Sequence, residues 1–226
     1  MATTAEPTTC NATRRRRARL RSAWLALALL AAGCAGLQPA PVASPTLHLL
    51  QAAAAVGPAP VQRDLVLEVA APRAWPGFDT PQLAYVQRPF ELDYYANSRW
   101  ADAPARMLGP LLAQALAQAG SFRAVVQTPG AVPADLRLNG ELVRLQQNFA
   151  TRPSRIELTL RVELVDVRGR RVLASRVFDE SEAATTDDAY GGVTAANAAL
   201  QRVLEGVAAF CAAESGRFPS PAASRP

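Results

Sequence analysis

The sequence has little of what a metal site or a catalytic triad needs. It contains one histidine, His48, three cysteines and no lysine, and aromatic residues make up only 6% of its 226 residues. A single histidine excludes a His-rich metal site and disfavours a Ser-His-Asp mechanism. No P-loop or dinucleotide-binding pattern surrounds the doublet Gly191-Gly192. The sequence therefore predicts a protein that is not an enzyme and that uses neither a metal nor a cofactor.

Cysteine is too scarce for a disulfide framework. Cys10 and Cys34 lie near the N-terminus, and Cys211 stands alone near the other end. If an N-terminal leader is removed, Cys211 has no partner, so the domain must be held together by its apolar core. Half of the residues are apolar, which is enough for such a core. We expect Cys211 to pack as a small apolar residue on a helix, the alternative being a reactive thiol.

The positive charge of the chain is concentrated at its N-terminus. Of the 24 basic and 19 acidic residues, six arginines and one glutamate precede Cys34, so eighteen of each sign remain from there onward. Because non-specific binding to phosphates requires clustered positive charge, this balance argues against a nucleic-acid partner, although the whole sequence has a pI near 9.7.

The N-terminus is typical of a bacterial lipoprotein. A basic stretch at residues 14–21 is followed by an apolar run at residues 23–33, which is shorter than the roughly 20 residues that span a bilayer. Small residues then precede Cys34, as in a lipobox, although Ala31 stands where leucine is usual. We therefore predict a signal peptide over residues 1–33 and acylation of Cys34. The alternative is an ordinary secretory signal, cleaved after a small residue.

The residues after Cys34 indicate where the anchor would lie. Acyl chains hold a protein by about 0.8 kcal/mol per buried methylene, so three chains give a firm attachment. Residues 34–45 contain glycine and proline and are predicted to form a tether. Ala35 is not the aspartate that usually retains a lipoprotein in the inner membrane. We therefore expect the periplasmic side of the outer membrane.

Hydrophobic periodicity predicts one α+β domain over residues 46–213, with a mostly antiparallel sheet packed against two main helices. The helices are expected at residues 100–120, with a kink at Pro110, and at residues 189–212. Strict alternation from residue 156 to residue 164, followed by Arg168-Gly169, predicts an antiparallel hairpin with residues 171–178. Further strands are predicted at residues 46–52, 62–71, 82–88, 90–95, 122–127 and 134–145. Residues 214–226 are predicted to be a disordered tail.

Polar and glycine residues mark the expected ends of the two helices. Asn97 or Ser98 is predicted to cap the first helix, and Gly120 to terminate it. One of Thr186, Asp187 and Asp188 is predicted to cap the second helix, and for this acidic pair capping is favoured over metal binding.

Aromatic residues cluster in one part of the chain. The aromatic residues between positions 75 and 100 include Trp75, Phe78, Tyr85, Tyr94, Tyr95 and Trp100. Core packing is the general expectation for this group, and for Trp100 in particular. Tyrosine also dominates interface hot spots. Tyr85, with either Tyr94 or Tyr95, is therefore the candidate partner interface.

The segment at residues 75–112 resembles the ABC-type transport auxiliary lipoprotein family, which includes the PqiC-like lipoproteins. The resemblance extends over residues 46–211, with further matches at residues 142–149, 164–178 and 191–200. The positions that carry it are Pro72, Tyr85, Arg88, Pro89, Glu91, Leu92, Tyr94, Tyr95, Asn97, Arg99, Trp100 and Pro104.

The resemblance implies a role beside an ABC permease and an MCE-type substrate-binding protein that together move lipids between the two membranes. The chain would be a docking component held to the outer membrane by its acyl chains. An alternative hypothesis is a periplasmic lipid-binding carrier, and an enzyme is the least supported of the three. A homo-oligomer, such as a ring around a tubular partner, would be compatible with this role.

Overall fold

The computed structural model describes residues 44–51, 61–130 and 132–218 of the chain. The predicted signal peptide, Cys34, most of the predicted tether and residues 219–226 of the predicted tail lie outside these described residues.

The described part contains two helices, α1 (Pro104–Ala119) and α2 (Ala189–Ser215). Its nine strands are β1 (Thr46–His48), β2 (Arg63–Val69), β3 (Arg73–Ala74), β4 (Gln82–Val86), β5 (Asp93–Trp100), β6 (Phe122–Gln127), β7 (Leu136–Asn148), β8 (Arg155–Asp166) and β9 (Arg171–Ala183).

The long strand β7 organises the sheet. Along one edge it pairs antiparallel with β8, which in turn pairs antiparallel with β9. Three parallel strands share its other edge in succession: β2 at residues 136–138, β3 at residues 141–142 and β4 at residues 147–148. Strand β6 extends the sheet beyond β2, while β5 and then β1 extend it beyond β4. The sheet therefore has two branches that are joined only through β7 among the described strands.

The core lies between the two helices and one face of this sheet. The alternation predicted for β8 is confirmed, because its inward side chains are at most 2% exposed: Ile156, Leu158, Leu160, Val162 and Leu164. They pack with α2, whose apolar stripe includes Leu200, Val203 and Leu204. The predicted fold class is confirmed as two helices on a mixed, mostly antiparallel sheet, compatible with a single domain.

The opposite face of the sheet carries charged residues that pair across strands. Arg161 contacts Glu141 at 3.0 Å, and Arg137 contacts Glu68 at 2.6 Å. Such pairs contribute modestly to stability at a solvated surface, but they keep this face polar.

Helix α1 begins later than its pattern predicted. Trp100 ends β5, where it lies opposite His48. Its backbone N–H donates to the carbonyl of Pro81 at 2.7 Å. The helix starts at Pro104, which has no N–H to satisfy, and Ala103 at the cap position supplies no side-chain bond. The predicted start at residue 100 and the predicted caps Asn97 and Ser98 were therefore wrong, because these residues belong to strand β5.

Other predictions for the first helix agree with the structure. Trp100 is buried, as expected of a core residue, although it belongs to a strand. Gly120 ends the helix with φ +68°, a left-handed conformation that glycine adopts without strain. The helix continues past Pro110, whose ring lies on its exposed side, and the kink expected there stays a prediction.

Helix α2 begins as predicted and runs three residues beyond its predicted end. Of the three proposed caps, Asp188 is the one that accepts the N–H of Gly191, at 2.8 Å. Cys211 lies on the inward side of this helix with no exposed surface, and burial raises the pKa of its thiol to about 12. The expectation that Cys211 packs as an apolar residue is confirmed. Neither described helix has the length and apolar character that crossing a membrane requires.

Candidate docking surface

Tyr85, Tyr95 and Phe149 form an aromatic cluster on the helix-bearing face of the β4 branch. The ring centroids of Tyr85 and Tyr95 are 4.8 Å apart with a tilted geometry. Phe149 meets the Tyr85 ring edge-on at 6.0 Å. All three side chains are partly buried, so they pack on one another and still reach solvent. We refer to these three residues as the aromatic cluster.

Strand register brings the aromatic cluster together. Tyr85 lies opposite Asp93 of β5 and opposite Gln147 of β7. Phe149 directly follows β7, and its N–H donates to the carbonyl of Val86 at 2.9 Å. The contacts of β4 with Gln147 and Phe149 join residues more than sixty positions apart, so the aromatic cluster depends on the sheet being assembled.

The third candidate tyrosine lies elsewhere. Tyr94 points to the other face of β5, and its hydroxyl donates to the carbonyl of Gly77 at 3.0 Å. Gly77 has φ +91°, and a Cβ there would be 2.9 Å from a methyl carbon of Leu92. The Tyr94 hydroxyl therefore stabilises the tight turn at Gly77. Of the three tyrosines predicted as a partner interface, the structure places Tyr85 and Tyr95 side by side and Tyr94 apart from them.

A buried chain of hydrogen bonds fixes Tyr95 in position. Its hydroxyl donates to Oε1 of Gln147 at 2.9 Å, and Nε2 of Gln147 donates to Oγ of Ser154 at 2.8 Å. The N–H of Ser154 then donates to the carboxylate of Asp187 at 2.6 Å. Gln147 and Ser154 have no exposed surface, so this network holds the Tyr95 ring in one orientation.

The Tyr95 hydroxyl is held in its protonated form. Burial raises its pKa to about 12, and the negative charges of Asp188 and Asp187 contribute in the same direction. A phenol with this pKa acts as a hydrogen-bond donor at neutral pH, in keeping with its bond to Gln147.

The Gly191-Gly192 doublet allows the N-terminus of α2 to approach this network. A Cβ on Gly192 would stand 2.2 Å from Oε1 of Gln147, and one on Gly191 would stand 2.2 Å from the carbonyl of Thr186. The N–H of Gly191 is already bonded to Asp188. The doublet therefore serves close packing rather than the binding of a phosphate.

Sequence reasoning missed a further aromatic residue, Phe90, at the tip of the β4–β5 hairpin. Its side chain is 107% exposed, and its backbone has φ +68°, which is uncommon for a residue other than glycine. Arg88 and Glu91 pair at 2.9 Å beneath it, and the N–H of Glu91 donates to the carbonyl of Arg88 at 3.2 Å. The available signal was an apolar residue directly after a proline in a polar turn.

The described residues have surface grooves but no cluster of metal-binding side chains. They contain no group of three His, Cys, Asp or Glu residues placed to hold a metal ion. A groove of about 390 Å³ on the charged face is lined in part by Arg73, Arg161, Glu141 and Glu163. A second groove, of about 220 Å³, lies beside Arg63 and Phe218.

Comparisons with known proteins place this fold and the family. A crystal structure of a Xanthomonas campestris protein is similar, with a TM-score of 0.69, 22% identity, and coverage of 76% of this chain and 97% of that one. A second, uncharacterized protein has a TM-score of 0.56 and 12% identity, covering 73% of this chain and 99% of that one. At these identities the likeness concerns the fold alone.

A search of curated proteins gives no match. The model of the ABC-type transport auxiliary lipoprotein component family matches residues 47–208, which is most of the chain and contains the aromatic cluster, Phe90, α1 and most of α2. The chain belongs to the ABC-type transport auxiliary lipoprotein component family.

Proposed function

We propose that the chain is a periplasmic lipoprotein, anchored to the outer membrane through Cys34, that docks an MCE-type ABC lipid transport system. The observation that carries this proposal is the family match over residues 47–208, since that family is described as a lipoprotein component that assists ABC-type transport. The MCE-type substrate-binding protein and the ABC permease are the partners that the resemblance at residues 75–112 implies.

The aromatic cluster supports a docking role. Its rings stand partly exposed while the bonds from Tyr95 to Gln147 and onward to Ser154 hold them in place. A rigid aromatic surface loses little conformational entropy on binding, which is why such residues are effective anchors in interfaces. Tyr85 and Tyr95 are therefore the residues we propose to contact the transporter.

A non-enzymatic role is consistent with the chemistry of the described side chains. The Tyr95 hydroxyl is a protonated donor, and Cys211 is buried with a raised pKa. Asp187 accepts the N–H of Ser154, and Asp188 accepts the N–H of Gly191 at the start of α2. Each of these groups has a structural task, and we propose that the protein contributes contacts rather than catalysis.

Photo-crosslinking in the envelope of a Gram-negative host tests the docking role. A benzophenone amino acid at position 85 is expected to capture an MCE protein or a permease subunit. The matched control is position 172, where the valine is 55% exposed at the opposite end of the sheet. Recovery of no transporter component at position 85, or equal recovery at both positions, would reject this surface.

Membrane fractionation tests the anchor separately. The chain with Cys34 is expected in the outer-membrane fraction, and Cys34→Ala is expected to be released as a soluble protein. Mass spectrometry of the purified Cys34→Ala chain addresses the lipid-carrier alternative, since a stoichiometric co-purifying lipid would favour it over docking.

A further inference from the structure

The β4–β5 hairpin tip presents an apolar side chain to solvent in a way that the fold does not require. Phe90 is 107% exposed and makes no contribution to the core cluster of the described residues. Its left-handed backbone adds conformational strain that a glycine or asparagine at the same position would relieve. A strained, fully exposed phenylalanine lowers the stability of the isolated domain, and this points to a partner that covers it.

The turn that carries Phe90 is an ordered support. The Arg88–Glu91 ion pair and the bond from the Glu91 N–H to the Arg88 carbonyl close the turn below the ring. Pro89 fixes the backbone immediately before it. The pair also balances the charges of Arg88 and Glu91 within the turn.

The path of the chain places this tip at the end where the N-terminal segment enters the domain. Strand β1 runs parallel to β5, with Thr46 opposite Ser98, and β5 begins at Asp93 beside the hairpin tip. Ser44 and Pro45, the described residues directly before Thr46, therefore lie towards the side of the tip. The strand from Ser98 back to Asp93 covers about 16 Å. The twelve residues from Cys34 to Thr46 can reach about 40 Å when extended.

We propose that Phe90 inserts into the surface of the bilayer to which the chain is anchored. A single convex aromatic side chain suits a fluid lipid interface, whereas a stable protein interface buries about 800 Å² on each partner. Phenylalanine is among the residues that amphipathic membrane-binding segments place in this interface. The tip then acts as a second contact that orients the domain, and this inference rests on the proposed anchoring at Cys34.

The test places a benzophenone amino acid at position 90 of the full chain, with position 172 as the matched control. The chain is expressed in a Gram-negative host, the envelope is irradiated, and mass spectrometry identifies what each position has captured. We expect phospholipid adducts at position 90, at least about tenfold above position 172, because burying an aromatic side chain favours the inserted state by that factor or more. Protein adducts alone at position 90, or no adduct in a membrane-bound chain, would overturn the proposal.

A second arm separates this inference from the proposed anchor. If fractionation finds the chain with Cys34 soluble, the anchor has failed, and the same labelled chain is purified and mixed with phosphatidylethanolamine–phosphatidylglycerol vesicles. Lipid adducts at position 90 would then still support insertion of the tip, and their absence would reject it. Phe90→Ser is expected to reduce vesicle binding, while Val172→Ser is expected to leave it unchanged.

Discussion

At the scale of single residues, Gln147 is the centre of the polar network beside the aromatic cluster. Gln147→Leu would leave the hydroxyls of Tyr95 and Ser154 without the partner that they have now. We expect the free energy of unfolding to fall by about 1–3 kcal/mol, measured by chemical denaturation. Gln146→Leu is the control, because Gln146 bonds Glu157 on the solvated face. A loss as large in the control would contradict a special role for Gln147.

Gly192 sets the distance between α2 and this network. Gly192→Ala would gain about 1 kcal/mol of helix propensity. Its methyl group would also stand 2.2 Å from Oε1 of Gln147, and overpacking of this kind costs about 1–3 kcal/mol. We therefore expect net destabilisation in denaturant. Combining it with Gln147→Ala removes the clashing atom, so the two losses should not add; strict additivity would refute the proposed contact.

The Tyr95 hydroxyl should titrate late. Because its pKa is raised from 10.0 to about 12, the folded state keeps a proton that the unfolded state loses. The contribution of this raised pKa to the free energy of unfolding is present in full below pH 10 and is lost as the pH rises towards 12. Tyrosinate absorbance should show a late-titrating component, and Tyr95→Phe should remove it. A titration curve unchanged by Tyr95→Phe would disprove the assignment.

At the scale of the elements, Asp188 makes the start of α2 sensitive to acid. The N–H of Gly191 is the main cause that lowers the pKa of this carboxyl, and the Thr186 hydroxyl adds to it. The bond therefore stabilises the fold above the ordinary aspartate pKa and is lost as the pH falls through the lowered value. Asp188→Asn keeps a side-chain oxygen at the cap but has no carboxyl to titrate. Its Tm should therefore fall less steeply than that of the unchanged chain as the pH is lowered through the acid range. Asp188→Ala should lower the Tm at neutral pH as well.

The elements that could be predicted from the sequence are those whose signal is local. Alternation along β8, the glycine at residue 120 and a cap within residues 186–188 each depend on a few neighbouring residues, and all were predicted correctly. Trp100 fits a helical period with Leu108 and Leu112, yet pairing with His48 decides its conformation. Such long-range pairing leaves no periodic trace, so the start of α1 was misplaced.

The candidate site was only partly predictable for the same reason. Tyr85 and Tyr95 could be nominated from composition, but their contact depends on the register of β4, β5 and β7. Gln147 lies on the inward face of β7 after an irregularity between Leu142 and Arg144, which shifts the alternation. A polar residue at that position therefore gave no sign that it would be fully buried.

At the scale of the whole molecule, we expect that the strands before β7 cannot form a stable sheet without β7. A fragment of residues 44–128 contains β1 to β6 and α1, but lacks the strand that joins its two branches. We expect this fragment to unfold without a cooperative transition and to be cleaved rapidly by protease. The chain of residues 44–218 is the control and should resist cleavage. A cooperative transition in the shorter fragment would show that β7 is not needed.

The position of β7 late in the chain has a consequence during synthesis. About 60 residues separate the end of β4 from the end of β7, and at ordinary elongation rates these take about 3–12 s to appear. Throughout that interval Leu65, Leu67 and Leu83 have been made, but the strand that will join β2 to β4 is incomplete. We expect a nascent chain of this length to need a holding chaperone, and a pause in translation before residue 136 to increase the fraction that aggregates.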